Sequence, residues 1–148
     1  MNKEKFKETG DSTMFMNRKS DYALRIIRAL ADGKRHTANS LATNEQIPLA
    51  FAYKILKKLS NAGLVRLDRG PGGGCSLEKD LHDVSLYDLI IIMEGNGDIT
   101  DCMNGDYDCE WRKNHGICKV HLNLCALQQE IEQKLRSKSL WEILGKTS

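Results

Sequence analysis

The run Pro48-Leu-Ala-Phe-Ala-Tyr-Lys-Ile-Leu-Lys-Lys-Leu-Ser-Asn-Ala-Gly63, continued by Leu64-Val-Arg-Leu-Asp-Arg69 and Gly70-Pro-Gly-Gly-Gly74, decides the fold. Its first part has a helical period: Phe51, Ile55 and Leu59 form one stripe, with Ala52 and Leu56 beside it. Ala50, Tyr53, Lys54, Lys57 and Lys58 fall on the other side. Pro48 suits a first helical turn, where its missing N–H costs nothing, and Gly63 suits the residue past the end. The period then drops to two, with Val65 and Leu67 alternating with Arg66 and Asp68, the pattern of a strand. The glycines that follow permit a tight reversal into a second strand at Cys75-Ser-Leu77.

Upstream, two shorter helices are expected. Ser20 is placed to cap the first, whose apolar residues fall in pairs at Tyr22/Ala23, Ile26/Ile27 and Leu30/Ala31, with Gly33 ending it. Thr37 caps the second, which carries Leu41 and Ala42 and stops near Asn44. Three helices and a hairpin give the order of a winged helix-turn-helix, in which the third helix enters the DNA major groove. Charge agrees. From Asn17 to Arg69 there are 11 Lys/Arg against 4 Asp/Glu, and from Gly70 onward 8 against 13. A basic front half and an acidic back half imply a polyanionic partner for the front alone. Ala50, Tyr53 and Lys54 are therefore expected at base edges and Lys57 and Lys58 at phosphates. Arg69, with the backbone of Gly70, Gly72 and Gly73, is expected along the minor groove or the phosphates. Taken alone, the lysines would be a solvated helix face; the helix order beside them decides otherwise. The glycine turn lacks a following Gly-Lys-Ser/Thr, which argues against a nucleotide cradle. No carboxylate pair, nucleophile–base arrangement or cofactor motif points to an enzyme.

Downstream, Ser85 and Asp88 form a capping-box pattern ahead of Leu86, Leu89, Ile90 and Met93, and Gly95 closes that helix. From Asn96 to Ile117 the apolar period disappears. Here the chain reads Cys102-x6-Cys109-x8-Cys118-x2-His121, with Cys125 four residues on. Thiolate and imidazole are the donors of zinc and iron–sulfur sites, and bonds to a bound metal can order a loop that has no core of its own. No apolar leader opens the chain and no long apolar run spans a membrane, so a cytoplasmic location is expected, where structural disulfides are rare. From Cys118 a long helix follows, with Val120, Leu124, Leu127, Ile131 and Leu135 near a heptad seam. So long a stripe on so small a chain is read as an intermolecular seam. That implies a homodimer, as a palindromic operator on double-stranded DNA requires. Ser139 and Glu142 make a second capping box before Leu140, Trp141 and Leu144. The expected architecture is mostly α: a disordered extension (1–15), a winged helix-turn-helix domain with a two-stranded wing (16–80) and a connecting helix (81–95). A cysteine-bearing loop (96–117) and a dimerisation helix with a short C-terminal helix (118–148) complete it.

These residues resemble the IscR-like, or Rrf-two-type, winged-helix regulators of bacteria, from about Met16 to Gly145. The resemblance rests on Lys19-Ser-Asp-Tyr-Ala-Leu-Arg25, Gly63-Leu-Val, the wing tip Arg69-Gly-Pro-Gly-Gly-Gly74 and the three cysteines before the long helix. It implies a dimeric transcription factor in which Cys102, Cys109 and Cys118 hold an iron–sulfur cluster. The fourth ligand divides the family. In the IscR branch it corresponds to His121 on a 2Fe–2S cluster, which is favoured here. In the nitric-oxide-sensing NsrR branch a carboxylate from the partner's first helix serves a 4Fe–4S cluster, and Asp21 stands at the matching position. The spacings between cysteines are longer than the family's usual ones, which leaves the cluster type open. Cys75, in place of an aromatic after the wing, is read as packing. Cys125 is read first as core, with an extra ligand or resolving thiol as alternatives.

The implied function is a DNA-binding regulator that senses iron–sulfur status, redox state or nitric oxide through its cluster. Two alternatives use the same residues: a winged-helix repressor stabilised by zinc, and a thiol-responsive protein-interaction module with no cluster.

Overall fold

A computed structural model describes residues 16–146; the expectation of a disordered extension at 1–15 lies outside the described residues. Helix α1 (Arg18–Leu30) begins at Asn17, whose side chain accepts from the Lys19 N–H. The sequence pointed to Ser20 as that cap. Ser20 is instead fully buried and donates to Glu94 Oε1 at 2.6 Å, a partner 74 residues away that no local pattern reveals. Gly33, at φ +77°, donates to the Leu30 carbonyl and stops the helix. Helix α2 (Ala38–Glu45) is capped by Thr37 as expected and ends at Gln46, which takes a left-handed conformation although it is not glycine. Helix α3 (Leu49–Asn61) follows Pro48, which sits just outside the first turn. It buries Ala52, Ile55, Leu56 and Leu59, while Phe51 stays exposed and meets the Tyr22 ring edge-on.

The wing is an antiparallel pair, β1 (Val65–Asp68) and β2 (Gly74–Leu77), in register Leu67 to Cys75 and Arg66 to Ser76. A third rung fastens it to the body: His36 and Cys75 exchange backbone hydrogen bonds of 2.9 and 2.7 Å. Beneath this rung the buried Cys75 thiol donates to the His36 carbonyl at 3.1 Å, and burial pushes its pKa up. This is the packing role expected of Cys75.

Helix α4 (Leu86–Glu94) starts with the reciprocal Ser85/Asp88 box and closes at Gly95. It contributes Leu89, Ile90 and Met93 to the buried residues. Helix α5 (Glu110–His115) and a 3-10 turn at Asp101–Met103 lie inside the stretch expected to be irregular. All six residues of α5 are exposed, so no apolar face betrays it in the sequence; Trp111 stacks on His115 one turn later. Helix α6 (Lys119–Arg136) packs on α4, with the Arg136 guanidinium 3.9 Å over the Tyr87 ring. Helix α7 (Leu140–Ile143) opens with the Ser139/Glu142 box, and two 2.8 Å backbone bonds tie this end to the start of α4. The core runs through α1, α3, the base of the wing, α4 and Leu140. Among the described residues, no hydrophobic side chain between Met93 and Leu140 is buried. No described helix is long and apolar enough to cross a membrane.

Candidate metal centre and DNA interface

The cysteines gather around the start of α6. Gly116, at φ +81°, lets the chain turn from α5 into α6. Cys118 then occupies the N-cap, a place usually taken by a hydroxyl or carboxylate, and its sulfur accepts from the His121 N–H at 3.4 Å. The cap places a donor sulfur at the positive end of the helix dipole. In the first turn, His121 Nδ1 stands 3.4 Å from Cys102 Sγ, and Nε2 stands 3.5 Å from Cys125 Sγ. Cys109 caps α5 without a side-chain bond and, with Cys118 and His121, lines a cavity of about 570 Å³. All four of these cysteines are free and partly exposed. On the same rim Lys113 binds Asp108 at 2.6 Å and Glu110 at 3.2 Å, and these carboxylates push its pKa up. Among the described residues, no three His, Cys, Asp or Glu side chains already stand in the geometry of one bound ion. The donor set fits the implied group in its chemistry: Cys109, Cys118 and His121 line one cavity, and the Cys102 thiol lies against the His121 ring.

Asp21 sits on α1, paired with Arg25 at 2.9 Å and more than half exposed. Cys125 is half-buried, and its neighbour is His121 at 3.5 Å.

The loop's entry is held by Gln128, a residue outside the expected site. Gln128, 6% exposed, accepts from the Ile99 N–H at 2.8 Å and donates to the Gly97 carbonyl at 2.7 Å. An amide facing inward on an otherwise apolar helix side was the available signal. Upstream of that point, the end of α4 is a junction. Glu94 binds Ser20 and Asn17 at the start of α1, and the Met93 carbonyl accepts from Lys58 Nζ at 3.0 Å.

On the opposite side of α3, Ala50, Tyr53, Lys54 and Lys57 are exposed, as are Arg69, Gly70 and Gly72, with Gly73 half-buried. Lys54 Nζ stands 5.8 Å from the centroid of the Phe51 ring. Lys58 differs from the other lysines in being bound to Met93. The wing tip turns through Gly70 (φ +90°) and Gly72 (φ +81°); a side chain at Gly73 would run into the Gly70 carbonyl. Arg35, which carries no periodic signal, holds this tip: it donates to the Gly72 carbonyl at 2.9 Å and pairs with Asp68. Tyr53, Leu67, Gly70 and Gly73 share a cleft of about 250 Å³ between α3 and the wing.

Comparison with known proteins places this architecture. The Lactococcus lactis sequence named YffB is 38% identical over 80 residues, 54% of this chain and 51% of that one. The regulator IscR of Vibrio cholerae is 31% identical over 104 residues, 70% of this chain and 58% of that one. This chain therefore aligns with roughly half to three fifths of those relatives' length. In fold it is similar to the oxidised form of Staphylococcus aureus CymR, with a TM-score of 0.67 at 20% identity over 91% of this chain and 99% of that one. It is also similar to T. potens IscR, with a TM-score of 0.60 at 22% identity over 88% and 85% of the two chains. The family model described as Rrf2, iron-dependent transcriptional regulator, matches residues 16–146, and the chain belongs to that family of DNA-binding transcriptional regulators.

Proposed function

We propose that this regulator acts in the cytoplasm as a homodimer on a palindromic operator and senses its signal through an iron–sulfur cluster held by Cys102, Cys109, Cys118 and His121. One observation carries the cluster reading. At the start of α6, His121 lies against the Cys102 and Cys125 sulfurs, and Cys109 and Cys118 open on the same cavity. His121 is favoured over Asp21 as fourth ligand because it already sits among the sulfurs, whereas Asp21 is paired with Arg25. That choice goes with the 2Fe–2S type, and a 4Fe–4S cluster goes with Asp21 supplied by a partner.

When bound, such a cluster supplies a centre whose charge and integrity follow redox state or nitric oxide. The protein's own residues carry the rest. Gln128 straps Gly97 and Ile99 to α6, so any reordering of the cysteine loop pulls at this point. A few residues back, Glu94 and the Met93 carbonyl are gripped by α1 and by Lys58 of α3. The loop thus acts on a helix end that two DNA-binding helices share, and about 1–3 kcal/mol of coupling changes occupancy severalfold to more than a hundredfold. The exposed Val120 (66%) and Leu127 (45%) on α6 support the dimer seam. Leu124, Ile131 and Leu135 of the same stripe are half-buried.

Anaerobic purification with iron and sulfide analysis is the test. The expected result is visible absorbance that is lost in Cys102→Ala, shifted in His121→Ala and unchanged in Asp21→Ala. Colourless protein that retains zinc would overturn the sensing and leave the repressor. Indifference to any short duplex would instead favour the thiol-responsive interaction module.

A further inference from the structure

We propose that α3 identifies its operator mainly through thymine methyl groups. This rests on the reading of α3 as the recognition helix. The residues that its first turns present outward are Leu49 (40% exposed), Ala50 and Tyr53 (56%), at positions i, i+1 and i+4 of one face. They take no part in the core, which α3 reaches through Ala52, Ile55, Leu56 and Leu59. Across the cleft, Leu67 of β1 is 42% exposed, and it lines the same cleft as Tyr53. Four apolar or aromatic side chains therefore lie in water where a winged helix meets DNA.

Bases are usually told apart in the major groove by paired hydrogen bonds, from Arg or Lys to guanine or from Asn or Gln to adenine. Between Leu49 and Lys57 there is no Arg, Asn or Gln, and the one lysine within the span is Lys54. The one apolar group that B-DNA shows in this groove is the C5 methyl of thymine. A leucine, an alanine and a tyrosine ring suit that methyl and little else on a base edge. Lys57, further along the exposed side, supplies charge for the flanking phosphates, and Lys54 adds at most one base-edge contact beside the methyls. Specificity is thus carried by burial of methyl groups against Leu49, Ala50 and Tyr53, and affinity by the lysines.

The experiment uses the full chain, purified without oxygen, to select sites from a randomised duplex pool. Each recovered site is then resynthesised with deoxyuridine in place of thymidine. Base pairing and charge stay the same and only the methyls leave. The expected outcome is half-sites with recurrent thymines, and binding weakened about fourfold for each contacted methyl removed. Leu49→Ala should weaken binding to the thymine duplex and become less sensitive to the uracil exchange, a coupling that a fold defect does not produce. Sites bound equally well with uracil, or half-sites built of G·C pairs, overturn the proposal while leaving α3 as the recognition helix. A pool with no enriched site and no salt-dependent binding overturns both.

Discussion

The half of the molecule before Gly95 and the half after it are ordered by different means. The first buries its own core: Ile26, Ile27, Leu30, Ile55, Leu59 and Leu89 are all within 2% of full burial. In the second, the one side chain buried between Asn96 and Ser139 is the amide of Gln128, and only Leu140 beyond it rejoins that core. The basic excess lies in the first half, with 11 Lys/Arg against 4 Asp/Glu from Asn17 to Arg69, whereas the residues after Gly95 are near balance at 7 against 8. A segment with so little buried apolar surface stays ordered only if something else offsets its conformational entropy. The front half therefore reads as a self-sufficient head. On the function proposed above, the back half is a frame that a second copy along α6 and an inorganic centre at its start would complete.

One residue type placed in both halves offers the sharpest break. Leu59→Ala removes a fully buried side chain and should cost about 2–5 kcal/mol of stability, independent of protein concentration in urea titration. Leu127→Ala should barely alter the monomer and should weaken dimerisation by about 2 kcal/mol per dimer, or about 30-fold in dissociation constant. Sedimentation at graded concentrations reads the second effect directly. A concentration-independent loss at Leu127 would mean that α6 has a private core after all.

A smaller effect tests how the loop is tied to the frame. Gln128→Ala strands the Ile99 N–H and the Gly97 carbonyl, at about 1–3 kcal/mol. Hydrogen exchange at 97–99 should accelerate by about 10- to 100-fold while the α1 and α3 amides keep their protection. Equal acceleration in both halves would show that the two are one cooperative unit.

The two halves also differed in how much could be read from sequence. Helices α2, α3, α4 and α7 and the wing were legible because their caps and turns are local: Thr37, Gly63, Ser85 with Asp88, Gly95, Ser139 with Glu142. Where a distant group decides, local signals failed. Ser20 looks like a cap until Glu94 claims it, and Asn17 caps in its place. Helix α5 has no buried side, so its period is silent. At the candidate centre, spacing identified the donors but not their company. The approach of Cys125 to His121 follows from a four-residue step on a helix, whereas that of Cys102, 19 residues away, depends on how the loop folds. Arg35 and Gln128 act through backbone groups, which no residue pattern announces.

The smallest expected effect separates two adjacent lysines that look alike in sequence. Lys57 is exposed and meets no hydrogen-bond or ion-pair partner among the described residues, and Lys58 donates to the carbonyl of Met93 at 3.0 Å. If Lys57 meets a phosphate, Lys57→Ala should lower the slope of log affinity against log salt by about 0.9 per contact, or about 1.8 for a dimer. Lys58→Ala should leave that slope unchanged and cost on the order of 1 kcal/mol in stability. It should also loosen the link between the state of the cysteine loop and DNA affinity. Both quantities come from one series of binding curves, measured with loaded and cluster-stripped protein. If Lys58→Ala reduces the salt slope as Lys57→Ala does, its ammonium exchanges Met93 for a phosphate on the operator. The grip of α3 on α4 would then be a feature of the free protein alone, and the signal would have to reach the heads through Glu94 and α1.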